Sequence, residues 1–129
     1  MSQLAQELRK EALEAIKEFC PEPFIYRRFH KGEYDPETRQ MDDEQPPELI
    51  PIYGKTNEFS YRDLGTALGG GNTIEMGDIL VSVPAIQLDF SPALGDELDF
   101  DGLTWIIKGK RAKRVGLTVI MWELQVRHG

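Results

Sequence analysis

The alternation of apolar and polar residues is clearest between Ile86 and Arg127. Leu98 and Phe100 alternate with Glu97, Asp99 and Asp101, the period-two pattern of a strand with one buried and one wet face. Asp101-Gly102 supplies a tight turn, because glycine tolerates the positive φ that such turns need. The run from Leu103 to Lys108, with Trp105, Ile106 and Ile107, predicts the next strand. A basic, glycine-bounded connection follows, and then the longest apolar run, Leu117 to Val126. This pattern predicts a twisted antiparallel hairpin with apolar side chains on both faces. A hairpin is not stable alone in water, so the remaining segments must cover it.

The rest of the chain supplies the cover. Leu4, Leu8, Ala12, Ala15, Ile16 and Phe19 fall at three- and four-residue spacing, which predicts an amphipathic helix over 3–19 with that stripe packed on the sheet. Ser2 is placed to cap its start, and Pro21 ends it by restricting Cys20 and supplying no N–H. Phe24 to His30 reads as a first strand, with the adjacent Arg27 and Arg28 on opposite faces, which an edge position tolerates. Residues 31–48 are polar and turn-rich and predict an exposed connection. Leu49 to Lys55 predicts a second strand, confined to an edge or a bulge by Pro51. Residues 56–76, with Gly69, Gly70 and Gly71, read as a long flexible loop. Ile79 to Val83 predicts a strand opened by Gly77-Asp78, and Ile86, Leu88 and Phe90 alternate as a further one. Gly77-Asp78-Ile79-Leu80 is weakly echoed by Gly95-Asp96-Glu97-Leu98, read as a common way to begin a strand. The expectation is an α+β, mainly β fold: a small antiparallel β-barrel or sandwich with an N-terminal amphipathic helix and long loops.

Composition narrows the class. The length of 129 residues suits a single domain, 1–129, with the helix at 3–19 and a β-barrel over 24–127 carrying long loops at 31–48 and 56–76. The chain has no apolar run of membrane-spanning length and no signal-peptide pattern. Cys20 is the only cysteine, so no intrachain disulfide forms, and function without passage through an oxidising compartment is expected. The net charge of −7 is uneven. Residues 1–48 carry 12 acids and 7 bases, residues 49–101 carry 9 acids and 2 bases, and residues 102–129 carry 1 acid and 6 bases. Local fields of this kind steer partners more than the total does.

Candidate chemistry is sparse. Glu97, Asp99, Asp101 and Gly102 partly imitate a calcium loop, but the first position is Glu97 and the twelfth is Lys108, where a bidentate glutamate is needed. The triple glycine lacks the Gly-Lys-Ser/Thr ending of a phosphate-binding loop. His30 has no histidine or cysteine near it, and His128 lies beside the end of the chain. No nucleophile, base and orienting group assemble, so no enzyme activity, metal or cofactor is expected. Lys108, Lys110, Arg111, Lys113 and Arg114 place five cations in seven residues. They read either as a solvated turn that resists edge-to-edge aggregation or as a contact for nucleic-acid phosphates or an acidic partner. Aromatic residues are not interleaved, as a base-stacking platform would need.

Several short motifs carry a family resemblance. They are Gly32-Glu33-Tyr34-Asp35-Pro36-Glu37-Thr38, Gly77-Asp78 before a strand, and a closing pattern. The closing pattern runs through Pro92, Gly95-Asp96, Asp101-Gly102-Leu103-Thr104-Trp105-Ile106-Ile107, and Gly116 to Trp122-Glu123-Leu124-Gln125-Val126-Arg127. From about Phe24 to its end the chain resembles the small head–tail connector proteins of long-tailed bacteriophages, the lambda-type head-completion or stopper proteins and their prophage relatives. It departs from them in carrying a basic run where a proline often precedes the last strand, and in its longer first helix. The resemblance implies a small barrel with a helix outside. It implies a structural role in the virion neck, after synthesis in the bacterial host cytoplasm. Copies would form a hexameric or dodecameric ring, bound to a portal or adaptor protein on one side and to a tail terminator or tail tube on the other. Double-stranded DNA would pass through the channel, and no membrane is involved. In that setting residues 56–76, with Arg62, Asp63, Gly69, Gly70 and Gly71, are the candidate channel or interface loop, and the basic cluster is the candidate partner or DNA contact. The alternatives are an OB-like module that holds nucleic acid through residues 108–114, and a tail-tube or tail-terminator subunit.

Overall fold

The computed structural model describes residues 3–29, 34–35, 40–41, 47–68 and 72–128. The chain begins with α1 (Gln3–Phe19) and continues as β1 (Phe24–Arg28), β2 (Tyr34–Asp35), β3 (Gln40–Met41), β4 (Glu48–Ile52), β5 (Lys55–Glu58), β6 (Ile79–Pro84), a 3-10 turn (Ala85–Gln87), β7 (Glu97–Phe100), β8 (Leu103–Val115) and β9 (Thr118–His128). Seven strands form one sheet in the order β4-β1-β7-β8-β9-β6-β5, and β2 pairs only with β3. All pairings are antiparallel. The fold is mainly β, a curled sheet forming a half-barrel with one N-terminal helix.

The curl follows from connectivity. β4 and β5 are the two edge strands, yet only Tyr53 and Gly54 separate them. The two ends of the sheet must therefore come together at this corner. Backbone approach there is close, since a Cβ on Gly54 would lie 3.1 Å from the Phe24 ring and 3.2 Å from Val81 Cγ1. The corner residue has no ladder partner. Its groups are satisfied by Gln87, whose Oε1 accepts from Tyr53 N at 2.6 Å and whose Nε2 donates to Tyr53 O at 2.8 Å. That use of Gln87 explains why the alternation of Ile86, Leu88 and Phe90 does not make a strand. The segment turns as a short 3-10 helix to present the amide to the corner, and only Leu88 of the three is buried.

The concave side holds the core: Tyr26, Ile52, Val81, Val83, Leu88, Leu98, Phe100, Trp105, Ile107, Leu124 and Val126. Phe24, Phe100 and Trp105 stack in series, with centroids 4.6 and 5.1 Å apart. The Asp101-Gly102 turn forms as expected, with φ of 53° and 72° between the paired Phe100 and Leu103. Pro51 lies in an edge strand, where its missing N–H is harmless.

Four further expectations need correction. β1 is internal, between β4 and β7. Its adjacent arginines are accommodated because Arg27 meets Asp99 of β7 at 2.6 Å, while the Arg28 guanidinium lies 3.9 Å from the Phe90 ring centroid. The buried face of α1 is turned about one residue from the expected stripe. Ala5 and Ile16 are buried, Leu8, Ala12 and Leu13 are half-buried, and Leu4 and Phe19 are exposed. The small Ala5 permits closer approach of the helix than Leu4 would, and α1 packs on β9, β6 and the 3-10 turn. Residues 56–58, expected in the loop, belong to strand β5. The basic cluster is not a turn either. β8 runs unbroken through it to Val115, and Gly116-Leu117 alone form the connection to β9. Ser2, His30 and the glycines 69–71 lie outside the described residues, as does most of 31–48. No helix among the described residues is long and apolar enough to cross a membrane.

Candidate functional site

β8 carries all five candidate cations, and its geometry decides which of them face solvent. Arg111 is paired across the ladder with Glu123. Its Nε and Nη2 both donate to Glu123 Oε1, at 3.0 and 2.9 Å. Lys113 Nζ lies 3.9 Å from the same oxygen. The Glu123 side chain is only 6% exposed, so these cations compensate a buried carboxylate. Lys110 points the other way. Its Nζ donates to Ser91 Oγ at 2.9 Å and Pro92 O at 2.7 Å, and it lies 5.8 Å from the Trp122 ring centroid. Three of the five cations thus have acceptors within the chain. Lys108 and Arg114 form no ion pair among the described residues.

A bulge next to Lys108 receives the loop that follows β5. The ladder shifts register between Ile107 and Gly109, which frees the Lys108 carbonyl to accept from Asn72 N at 2.9 Å. Leu68 O approaches so closely that a Cβ on Gly109 would lie 3.1 Å from it. On either side of the glycines the loop is structured. Gly65 N donates to Ile74 O and Ile74 N to Thr66 O, at 3.0 and 2.7 Å, Ala67 bridges Thr73, and Leu68 and Ile74 are buried. The reading of 56–76 as a wholly flexible loop is therefore corrected: residues 65–68 and 72–74 are docked on the sheet. Asp63, a candidate interface residue, shapes the turn before it. Its Oδ2 accepts from Ser60 N and Oγ at 3.1 and 2.9 Å, while Arg62 is exposed. The structure does not bring Arg62 and Asp63 together with the basic strand as one site.

Two buried aspartates do the anchoring, and sequence reasoning passed over both. Asp78 Oδ2 accepts from Gln125 Nε2 at 2.8 Å, Glu75 N at 2.9 Å and Arg127 Nη2 at 3.0 Å, and Oδ1 accepts from Arg127 Nε at 2.8 Å. Burial raises the Asp78 carboxyl, but hydrogen bonds from Arg127, Glu75 N and Gln125, with the Arg127 charge, outweigh it and hold the group below its ordinary value. Gln125 and Arg127 also donate to Thr73 O, at 3.3 and 3.1 Å, tying the loop to β9. Asp96 accepts from the Tyr26 hydroxyl at 2.5 Å and from Phe29 N at 3.1 Å. Burial, then this hydrogen bond and the Asp96 charge, push the Tyr26 phenol well above its ordinary value. The signal was the Gly-Asp echo. Gly77 and Gly95 have φ of 94° and 95°, and the following aspartate N–H bonds back to Glu75 O at 3.1 Å and to Ala93 O at 3.2 Å. The same turn occurs twice, each time delivering a carboxylate inward.

Large apolar side chains are exposed at opposite ends of the β8–β9 hairpin. Leu117, at the Gly116-Leu117 tip, is 96% exposed. Near the far end, beside Ile79, a groove of about 300 Å³ lies between the turns at 59–64 and 75–78, lined in part by Phe59, Tyr61, Leu64 and Met76. Tyr61 is 86% and Met76 80% exposed. Glu58 and Glu75 are among its lining residues. Among the described residues, no three histidine, cysteine, aspartate or glutamate side chains gather as a metal site. No protein-family model matches the chain, and no curated protein matches it in sequence.

Proposed function

We propose that this chain is a structural subunit of a bacteriophage neck, assembling as a ring that joins the DNA-filled head to the tail and helps retain the genome. The motifs from Gly32 to Arg127 support this reading, and the mainly β half-barrel with an external helix suits it. The observation that carries it is the exposure of apolar side chains at both ends of one long hairpin, Leu117 at the tip and Tyr61 with Met76 beside the far end. A subunit with neighbours on more than one side needs such surfaces. The docked loop adds a second argument. Bonds from Gln125 and Arg127 to Thr73 O hold its 72–74 arm against the sheet, so that arm meets a partner without first losing much conformational entropy.

The nucleic-acid reading has less support. Counterion release needs cations free to meet phosphates, and Lys110, Arg111 and Lys113 already have partners within the chain. A tail-tube or tail-terminator subunit would share the fold and differ in its position along the particle. Disrupting the gene in the phage or prophage that carries it separates these readings. The connector reading expects DNA-filled heads and complete tails that fail to join, with joining restored by the purified chain. Tails of uncontrolled length would instead favour a terminator, and normal infectious particles would overturn the proposal.

A further inference from the structure

The two apolar features at the ends of the β8–β9 hairpin are complementary in both shape and charge. The tip is convex: Gly116 and Leu117 make a two-residue turn between the paired Val115 and Thr118, with Gly116 at φ 60°. Glycine at the first central position fits the tight hairpin turn of type II′, which holds Leu117 in place. The residues leading into it are Lys113 and Arg114, both exposed, and Arg114 has no ion-pair partner among the described residues. The groove is concave, with Tyr61 and Met76 among its apolar lining residues and Glu58 and Glu75 among its acidic ones. Glu75 already lies 3.6 Å from Arg127 of its own chain, which leaves the exposed Glu58 as the carboxylate for a partner. Met76 is fixed in position by the turn in which Asp78 N donates to Glu75 O and Asp78 Oδ2 accepts from Glu75 N. Arg62 lies on the same turn as Tyr61 but does not line the groove.

These surfaces cannot meet within one chain. Ile79, beside the groove, pairs with Val126, while Leu117 precedes the first residue of the same strand β9. At ~3.3 Å per residue the two lie about 30 Å apart along the strand. The geometry points to contact between copies: the Arg114–Leu117 tip of one copy inserts Leu117 into the Tyr61–Met76 groove of the next, with Arg114 facing Glu58. Because the two surfaces differ, the contact is head-to-tail and leaves one unfilled tip and one unfilled groove in any open string. Such a contact repeats from copy to copy and makes a ring where the rotation between copies closes, an open filament where it does not. The inference rests on the ring-subunit reading above and names the contact that forms the ring.

Cysteine trapping in full-length chains tests it, with Cys20→Ser as background in every variant. Leu117→Cys and Met76→Cys chains are mixed in equal amounts and oxidised gently, since a disulfide forms only where Cα atoms come within about 7 Å. The mixed disulfide is expected in at least roughly tenfold excess over either symmetric product. Arg114→Glu should lower its yield severalfold, and Arg114→Glu in the Leu117→Cys chain with Glu58→Lys in the Met76→Cys chain should restore it. The chain carrying both cysteines should give a ladder that ends at one closed species. A mixed disulfide no more abundant than the symmetric ones overturns the contact. If the unmodified chain nonetheless sediments as a discrete oligomer, the ring reading survives without this interface. A ladder that never closes upholds the contact and overturns the ring.

Discussion

Replacing Asp78 by alanine removes an acceptor with a side chain 1% exposed. Four donors lose it: Arg127 Nε and Nη2, Gln125 Nε2 and Glu75 N, all within 3.0 Å. Gln125 is fully buried and cannot turn to water. An unsatisfied buried donor costs about 1–3 kcal/mol, and breaking a buried ion pair costs about 3–5 kcal/mol. Arg127 keeps Thr73 O, a 3.6 Å contact with Glu75 and a side chain 26% exposed, so solvent offsets part of its loss. The expected destabilisation is about 3 kcal/mol, a fall in melting temperature of about 10 °C for a domain of this size. Urea unfolding monitored by Trp fluorescence reads it as a lower midpoint with an unchanged slope. Hydrogen exchange should speed most at Ile74 and Asn72, because the loop loses its tether. The effect also depends on pH. The Asp78 carboxyl is depressed in the folded state, so its contribution is complete above the ordinary value of about 3.9 and disappears as pH falls through the lower folded value. Wild type and Asp78→Ala should therefore converge in acid. A loss below about 1 kcal/mol, or a difference that persists in acid, would refute the tether.

The other buried pair has the opposite pH dependence. With the Tyr26 phenol raised in the folded state, the stability it contributes is present below the ordinary value of about 10 and is lost as pH rises through the folded value. Tyr26→Phe should cost about 1.5–3 kcal/mol at neutral pH and should flatten the alkaline limb of a stability-against-pH curve. Arg111→Ala leaves the Glu123 carboxylate with only the 3.9 Å contact to Lys113. Since the Arg111 side chain is 54% exposed, water replaces part of the interaction, and about 1 kcal/mol is expected by chemical denaturation. Deleting residues 65–72 removes buried Leu68 and the Asn72–Lys108 bond, so it should destabilise by about 2–4 kcal/mol. An unfolding midpoint equal to wild type would show that the docked loop adds nothing to stability.

What could be read along the chain depended on whether the decisive interaction was local. The β7 turn at Asp101-Gly102 and the edge placement of Pro51 follow from properties of one or two residues, and both are found. The helix bounds were legible from periodicity, but its facing side was not. Ala5 is buried in preference to Leu4 because the approach of β9 and the 3-10 turn sets the angle, a tertiary effect. The strand expected over 86–90 failed for a similar reason. Gln87 is drawn to Tyr53, 34 residues away, at a corner that alternation does not encode. For the candidate site, the five cations were visible as a cluster, and their partners were not. Glu123 and Pro92 come near them only through the long β8–β9 ladder and the turn before β7. The Gly-Asp echo was visible too, but its meaning lay in residues far along the chain, Arg127 for Asp78 and Tyr26 for Asp96.

We propose that this chain forms a ring between head and tail. A cryo-EM reconstruction of the neck of the virion that encodes it, computed without imposed symmetry, tests this most directly. A connector role requires density for a ring of curled seven-stranded half-barrels, each with its helix outside, between portal and tail. A neck built wholly from other proteins would contradict it.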